Sequence, residues 1–95
     1  MCCRVTAAIE DLRSRKANVR CREMRVILES LGFTIKEGRA NHKIVFHDEV
    51  QSFLSTSYDC GHGKDALIKP VYVGKVARVL SDHTRDLVEY LEKMK

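Results

Sequence analysis

Met24, Ile27, Leu28 and Leu31 recur at i, i+3, i+4 and i+7, and Gly32 stands directly behind them. Four apolar side chains at that spacing share one face of a helix and must be buried against a second layer. Arg20, Arg22, Glu23, Arg25 and Glu29 cover the opposite side. Gly32 supplies the stop, because glycine takes the positive φ of a helix C′ position without a Cβ penalty. The spacing predicts a helix over Val19 to Leu31, with Asn18 available as its cap.

Past Gly32 the period shortens from 3.6 to 2. Phe33 to Glu37 alternates with Phe33 and Ile35 on one face, Gly38 to Asn41 turns the chain, and His42 to Phe46 alternates again. In that second run Ile44 and Phe46 point one way, and Lys43 and Val45 the other. His47-Asp48-Glu49 reads as a polar connection and Val50 to Tyr58 as a third strand. Phe33, Phe46 and Phe53 read as core, and His47 and His83 as surface residues.

Asp59 to Lys64 carries two glycines and reads as a loop. Pro70 suits the first turn of a helix, where its missing N–H is not needed. Val73, Val76, Ala77 and Leu80 then repeat the helical spacing. Gly74, inside that pattern, either lets the helix pack closely on the sheet or marks its true start. Ser81-Asp82-His83 breaks the run, and Leu87, Val88 and Leu91 continue a helix to the end. Upstream, Val5 to Ala17 forms a helical pattern that Thr6 can cap. Ala8, Ile9, Leu12 and Lys16 make only a thin stripe on it, which suits a loosely packed element or an arm. The expected fold class is α+β: a two-layer α-β-β-β-α domain with a three-stranded antiparallel sheet, plus an extra N-terminal helix and a C-terminal helical tail. The expected organisation is a single domain over 1–95, divided into the extra helix (1–18), the core (19–82) and the tail (83–95).

With 44% hydrophobic and 32% charged residues, the chain reads as globular rather than disordered. Seventeen Lys and Arg against 13 Asp and Glu leave a charge of +4, a modest excess that suits contact with phosphate or an acidic partner. Arg13, Arg15, Lys16, Arg20, Arg22 and Arg25 read either as a nucleic-acid surface or as a solvated helix face interleaved with Asp11 and Glu23. Cys2, Cys3, Cys21 and Cys60 show neither C-x-x-C spacing nor the regular pattern of a secreted disulfide scaffold. No apolar leader or membrane-length run is present, so the expectation is a cytoplasmic protein with reduced thiols and no membrane association. Cys60 and His62 are too few for a metal site, and read instead as loop residues.

His42 opens its strand directly after a basic turn. An imidazole with an ordinary pKa near 6.5 exchanges protons close to neutral pH. It acts either as a catalytic base or as a polar strand-start residue bonded to a backbone carbonyl.

Four segments in order resemble the HicA toxins, small bacterial ribonucleases on a double-stranded-RNA-binding-domain scaffold. Met24 to Phe33 resembles that family's helix with its Leu-Gly-Phe stop. Asn41-His42-Lys43-Ile44-Val45-Phe46 resembles its histidine-bearing strand, Gly61-His62-Gly63-Lys64 its His-Gly loop, and Lys69-Pro70 through Leu80 its closing helix. The likeness covers about residues 20 to 82. Where the family has Gly-Ser or Gly-Thr before its histidine, this chain has Ala40 and Asn41. The resemblance implies an mRNA-cleaving toxin of a type II toxin–antitoxin system, with His42 as the catalytic residue. Cleavage would be metal-independent and need no cofactor, through the RNA's own 2′-hydroxyl. It further implies RNA contacts from Asn41, Lys43, His62, Lys64 and Lys75, and a HicB-like antitoxin as partner. The protein would then be a monomer alone or a hetero-oligomer with that antitoxin. Two other functions fit the same residues: a non-catalytic RNA-binding module on this scaffold, or a protein-interaction domain using the sheet face or the extra helix.

Overall fold

A computed structural model describes residues 4–39, 41–50, 53, 55–61 and 65–93. The chain order is α1 (Arg4–Ser14), α2 (Cys21–Ser30), β1 (Thr34–Glu37), β2 (His42–Phe46), β3 (Thr56–Asp59), α3 (Pro70–Asp82) and α4 (Thr84–Lys93). The strands form one antiparallel sheet in the order β1-β2-β3. This is the α+β arrangement read from the sequence, with its extra helices at either end. The third strand is shorter than the Val50 to Tyr58 run, and residues 51, 52 and 54 of that run lie outside the described residues.

α2 buries Met24 and Leu28, and Leu31 closes its apolar stripe. Its start is held differently from the expected Asn18 cap. The Glu23 carboxylate accepts the Arg20 N–H at 2.9 Å, half of a capping box, and Cys21 N–H donates to the Ala66 carbonyl. Gly32 adopts φ 92° at the helix end. A Cβ there would collide with Tyr90 and stand 2.8 Å from His47 Nε2, so both backbone conformation and space require glycine.

The thin stripe of α1 is neither loose nor an arm. Val5 and Leu12 are fully buried and Ile9 nearly so, in the same cluster as Val73, Val76 and Leu80 of α3. Val5 completes an i, i+4, i+7 face, one turn ahead of the stripe that begins at Ala8, and Thr6 is exposed inside the helix rather than capping it. Gly74 lies within α3, whose first residue is Pro70. The close neighbour it permits is the Lys16 side chain, 3.0 Å from a Cβ built at 74, not the sheet.

His47 is the largest departure from the sequence reading, being buried at 6% exposure. Its Nδ1 accepts the N–H groups of Glu49 and Val50, both at 3.2 Å. That leaves Nε2 to carry the proton, which it donates to the Leu31 carbonyl at 3.1 Å. The ring stands edge-on to Phe33 and Tyr90. Three backbone partners satisfy the imidazole, so its burial leaves no polar atom stranded. His83 is half-buried: its Nδ1 lies 3.0 Å from the Val79 carbonyl and its ring stands edge-on to Phe53.

A disulfide joins Cys21, the first residue of α2, to Cys60 just beyond β3. This corrects the expectation of reduced thiols. The two cysteines are 39 residues apart in sequence, and only the packing of α2 over the sheet brings them together. Under the chain-entropy account, a closed loop of that length stabilises the fold by about 3–4 kcal/mol. Among the described residues, no helix is long and apolar enough to cross a membrane.

Candidate functional site

The helices cover one face of the sheet. Ile35, Val45 and Tyr58 point into that layer and are buried, with Ile35 opposite Val45 and Tyr58 opposite Lys43. The pleat therefore turns His42, Ile44 and Phe46 to the other face, together with Lys36 of β1 and Ser57 and Asp59 of β3. Ile44 is 38% exposed and Phe46 half-exposed, so this face is open. Phe46, expected in the core, instead carries Lys36 Nζ 5.3 Å above its ring.

On the open face His42 and Asp59 are direct cross-strand partners. Side chains in such a pair leave Cβ atoms about 4.5–5.5 Å apart, so an imidazole and a carboxylate occupy neighbouring positions of one face. Asp59 is itself fixed, because its Oδ1 accepts the Gly61 N–H at 3.1 Å in a turn where Gly61 has φ 66°. At the other end of His42, its N–H donates to the Arg39 carbonyl and its carbonyl accepts the Gly38 N–H, closing the β1–β2 turn. Lys75 reaches the same face over the β3 edge, with Nζ 3.4 Å from Ser57 Oγ and 5.8 Å from the Tyr72 ring centre.

The residues singled out from the sequence divide by position. His42 and Lys75 come to the open face. Asn41 sits half-buried in the turn before β2, where its carbonyl accepts the Cys60 N–H. His62 and Lys64 lie outside the described residues. Lys43 goes to the covered face: its Nζ pairs with Glu37 beneath the sheet, away from the imidazole. One residue of β-strand separates it from His42, and one residue reverses the side chain. Asp59 is the residue that sequence reasoning missed; only the β2–β3 register brings it opposite the histidine.

On the covered face a cleft of about 490 Å³ is lined by Cys21, Arg22, Arg25, Glu37, Lys43 and Tyr58. Tyr58 is fully buried there, and its hydroxyl has no hydrogen-bond partner among the described residues. Burial pushes the Tyr58 phenol up to about 12. A buried hydroxyl left without a partner costs roughly 1–3 kcal/mol. Glu37 is shared by Lys43 and Arg25, and those two hydrogen bonds, that of Lys43 first, hold its carboxyl below the usual carboxylate range.

Three of the six basic residues singled out from Arg13 to Arg25 are matched by the chain's own acids. Arg15 bridges Asp11 and Glu23, Arg22 meets Asp65, and Arg25 meets Glu29 and Glu37. At those three positions the charges belong to a solvated helix face. Cys60, engaged in the disulfide, is not available to a metal, and no group of three or more His, Cys, Asp or Glu that could hold a metal ion occurs among the described residues.

The fold and site together define a small α+β domain with helices on one face of a three-stranded sheet and a histidine–aspartate pair on the other. Compared with family models, curated proteins and solved structures, the chain matches none of them.

Proposed function

We propose that this protein is a metal-independent endoribonuclease of the HicA toxin type, acting on mRNA at the open face of the sheet. The observation that carries the reading is His42, half-buried on that face opposite Asp59, with Lys75 at the adjacent strand edge. Neutral His42 takes the proton of an RNA 2′-hydroxyl. The oxygen attacks the neighbouring phosphorus, and the 5′-oxygen leaves with a proton from solvent, giving a 2′,3′-cyclic phosphate. Asp59, the cross-strand neighbour of His42, adds a carboxylate to the site. Lys75 and Lys36 supply positive charge near the phosphorane-like transition state. Exposed Ile44 and half-exposed Phe46 give the same face an apolar patch on which a HicB-like antitoxin would sit, covering the histidine.

This reading places the protein in the cytoplasm, where redox pools keep most thiols reduced. Cys21 and Cys60 are 6% and 2% exposed, so a reducing thiolate must wait for the start of α2 to open. The turning away of Lys43 favours a second reading, RNA binding on the open face without cleavage, because it removes one expected phosphate contact.

The test is cleavage of labelled single-stranded RNA in EDTA by wild type and His42→Ala. Loss of roughly 10²–10⁴-fold in rate in a folded variant, with cyclic-phosphate ends from wild type, is expected. Equal cleavage by both would remove His42 from the chemistry. RNA binding without cleavage by either would establish the second reading.

A further inference from the structure

We propose that the cleft between α2 and the covered face of the sheet is a binding site for a small organic phosphate, separate from His42. Three cationic side chains, Arg22, Arg25 and Lys43, line it with one carboxylate, Glu37, while Asp65 and Glu29 meet Arg22 and Arg25 from outside the lining. Its volume of about 490 Å³ falls within the range of small-molecule sites, roughly 300–1,000 Å³. Its wall includes Tyr58, fully buried and with its hydroxyl unpartnered among the described residues. Burial keeps the phenol protonated at working pH, so it is a donor awaiting an acceptor.

The place for an anion is already marked. Glu37 bridges Arg25 and Lys43, and its side chain is 58% exposed. A phosphate entering between the same two cations exchanges one anion for another, and it gains the Tyr58 hydrogen bond that Glu37 does not make. An Arg guanidinium offers phosphate a two-pronged contact, and Lys43 adds a point charge. The cleft exceeds a bare phosphate in size, which leaves room for an organic group along Arg22 and Cys21. The Cys21–Cys60 bond fixes the opening of the cleft by tying the start of α2 to the strand end that carries Tyr58.

Calorimetric titration of the full chain at low salt, with 5′-AMP, inorganic phosphate and adenosine as probes, tests the site. AMP and phosphate should bind saturably, and adenosine should not. Tyr58→Phe should weaken AMP binding roughly tenfold, the size of one lost hydrogen bond, while the free variant melts no lower than wild type. Glu37→Gln should act in the opposite sense and tighten phosphate binding, because the internal competitor is gone. The proposal is overturned if the folded protein binds neither anion, if adenosine binds as well as AMP, or if Tyr58→Phe binds like wild type. Because the cleft and His42 lie on opposite faces of the sheet, His42→Ala should leave these affinities unchanged. Failure here would leave the ribonuclease reading standing.

Discussion

The two faces of the sheet are built from the same five-residue strand, yet they follow different rules. On the covered face Val45 meets Ile35, α2 and α3 close over it, and even the charged residues are tied down, with Glu37 between Lys43 and Arg25. On the open face the more apolar pair, Ile44 and Phe46, faces outward beside His42 and Asp59. Side-chain polarity alone does not choose the buried face of a short strand. The choice belongs to the helices, which must both hide their apolar stripes on one side. The face left over is then free to carry chemistry or a partner.

The strongest way to break the covered face is to release its pin. Cys21→Ser with Cys60→Ser should lower unfolding stability by about 2–4 kcal/mol in urea titrations, and reduction of the wild type should do the same. A change below a few tenths would mean that packing alone holds α2 to the sheet. Next in size is a paired truncation on neighbouring residues of β2. Val45→Ala, at a site 1% exposed, should cost roughly 1–3 kcal/mol, against less than about 1 kcal/mol for Ile44→Ala. Equal costs would show that the open face is covered in solution, as a second copy of the chain would cover it.

The smallest effect sharpens the electrostatic side of the comparison. Glu37 and Glu23 both have carboxyl groups held below their usual value, Glu37 chiefly by Lys43 and Glu23 chiefly by the Arg20 N–H and then Arg15. A depressed folded-state value means that the unfolded chain binds more protons in the acid range, so this stability is present above the usual carboxylate value and lost below it. Urea midpoints should hold steady above about pH 5 and fall as the pH drops toward 3. Glu23→Gln should flatten part of that fall, and added salt should reduce it further. A pH-independent midpoint would show that these ion pairs contribute nothing measurable.

Much of the fold was legible because it rests on local periodicity. The stripe from Met24 to Leu31 and its Gly32 stop locate α2, and His42 to Phe46 matches β2 residue for residue. The helical spacing behind Pro70 locates α3. The misreadings share one cause, which is that each depends on a distant partner. His47 stands in a run of three polar residues, and only the Leu31 carbonyl and the folded connection after β2 allow it to be buried. Val5 lacks a full stripe of its own until α3 is laid against it. The candidate site shows the same division. His42 could be chosen from its place at a strand start, whereas Asp59 beside it, and Lys43 behind the sheet, follow from register and from the side on which the helices pack.

By itself the sequence determined the kinds of elements, their order and the antiparallel sheet. Those follow from period and turn chemistry, which act over a few residues. Tertiary structure alone decided which face of β2 is covered, which cysteines meet, and that the Tyr58 hydroxyl under α2 is unmatched among the described residues. Burial and pairing are properties of surfaces brought together from far apart in the chain, and a strand of alternating residues accommodates either outcome until its neighbours are in place.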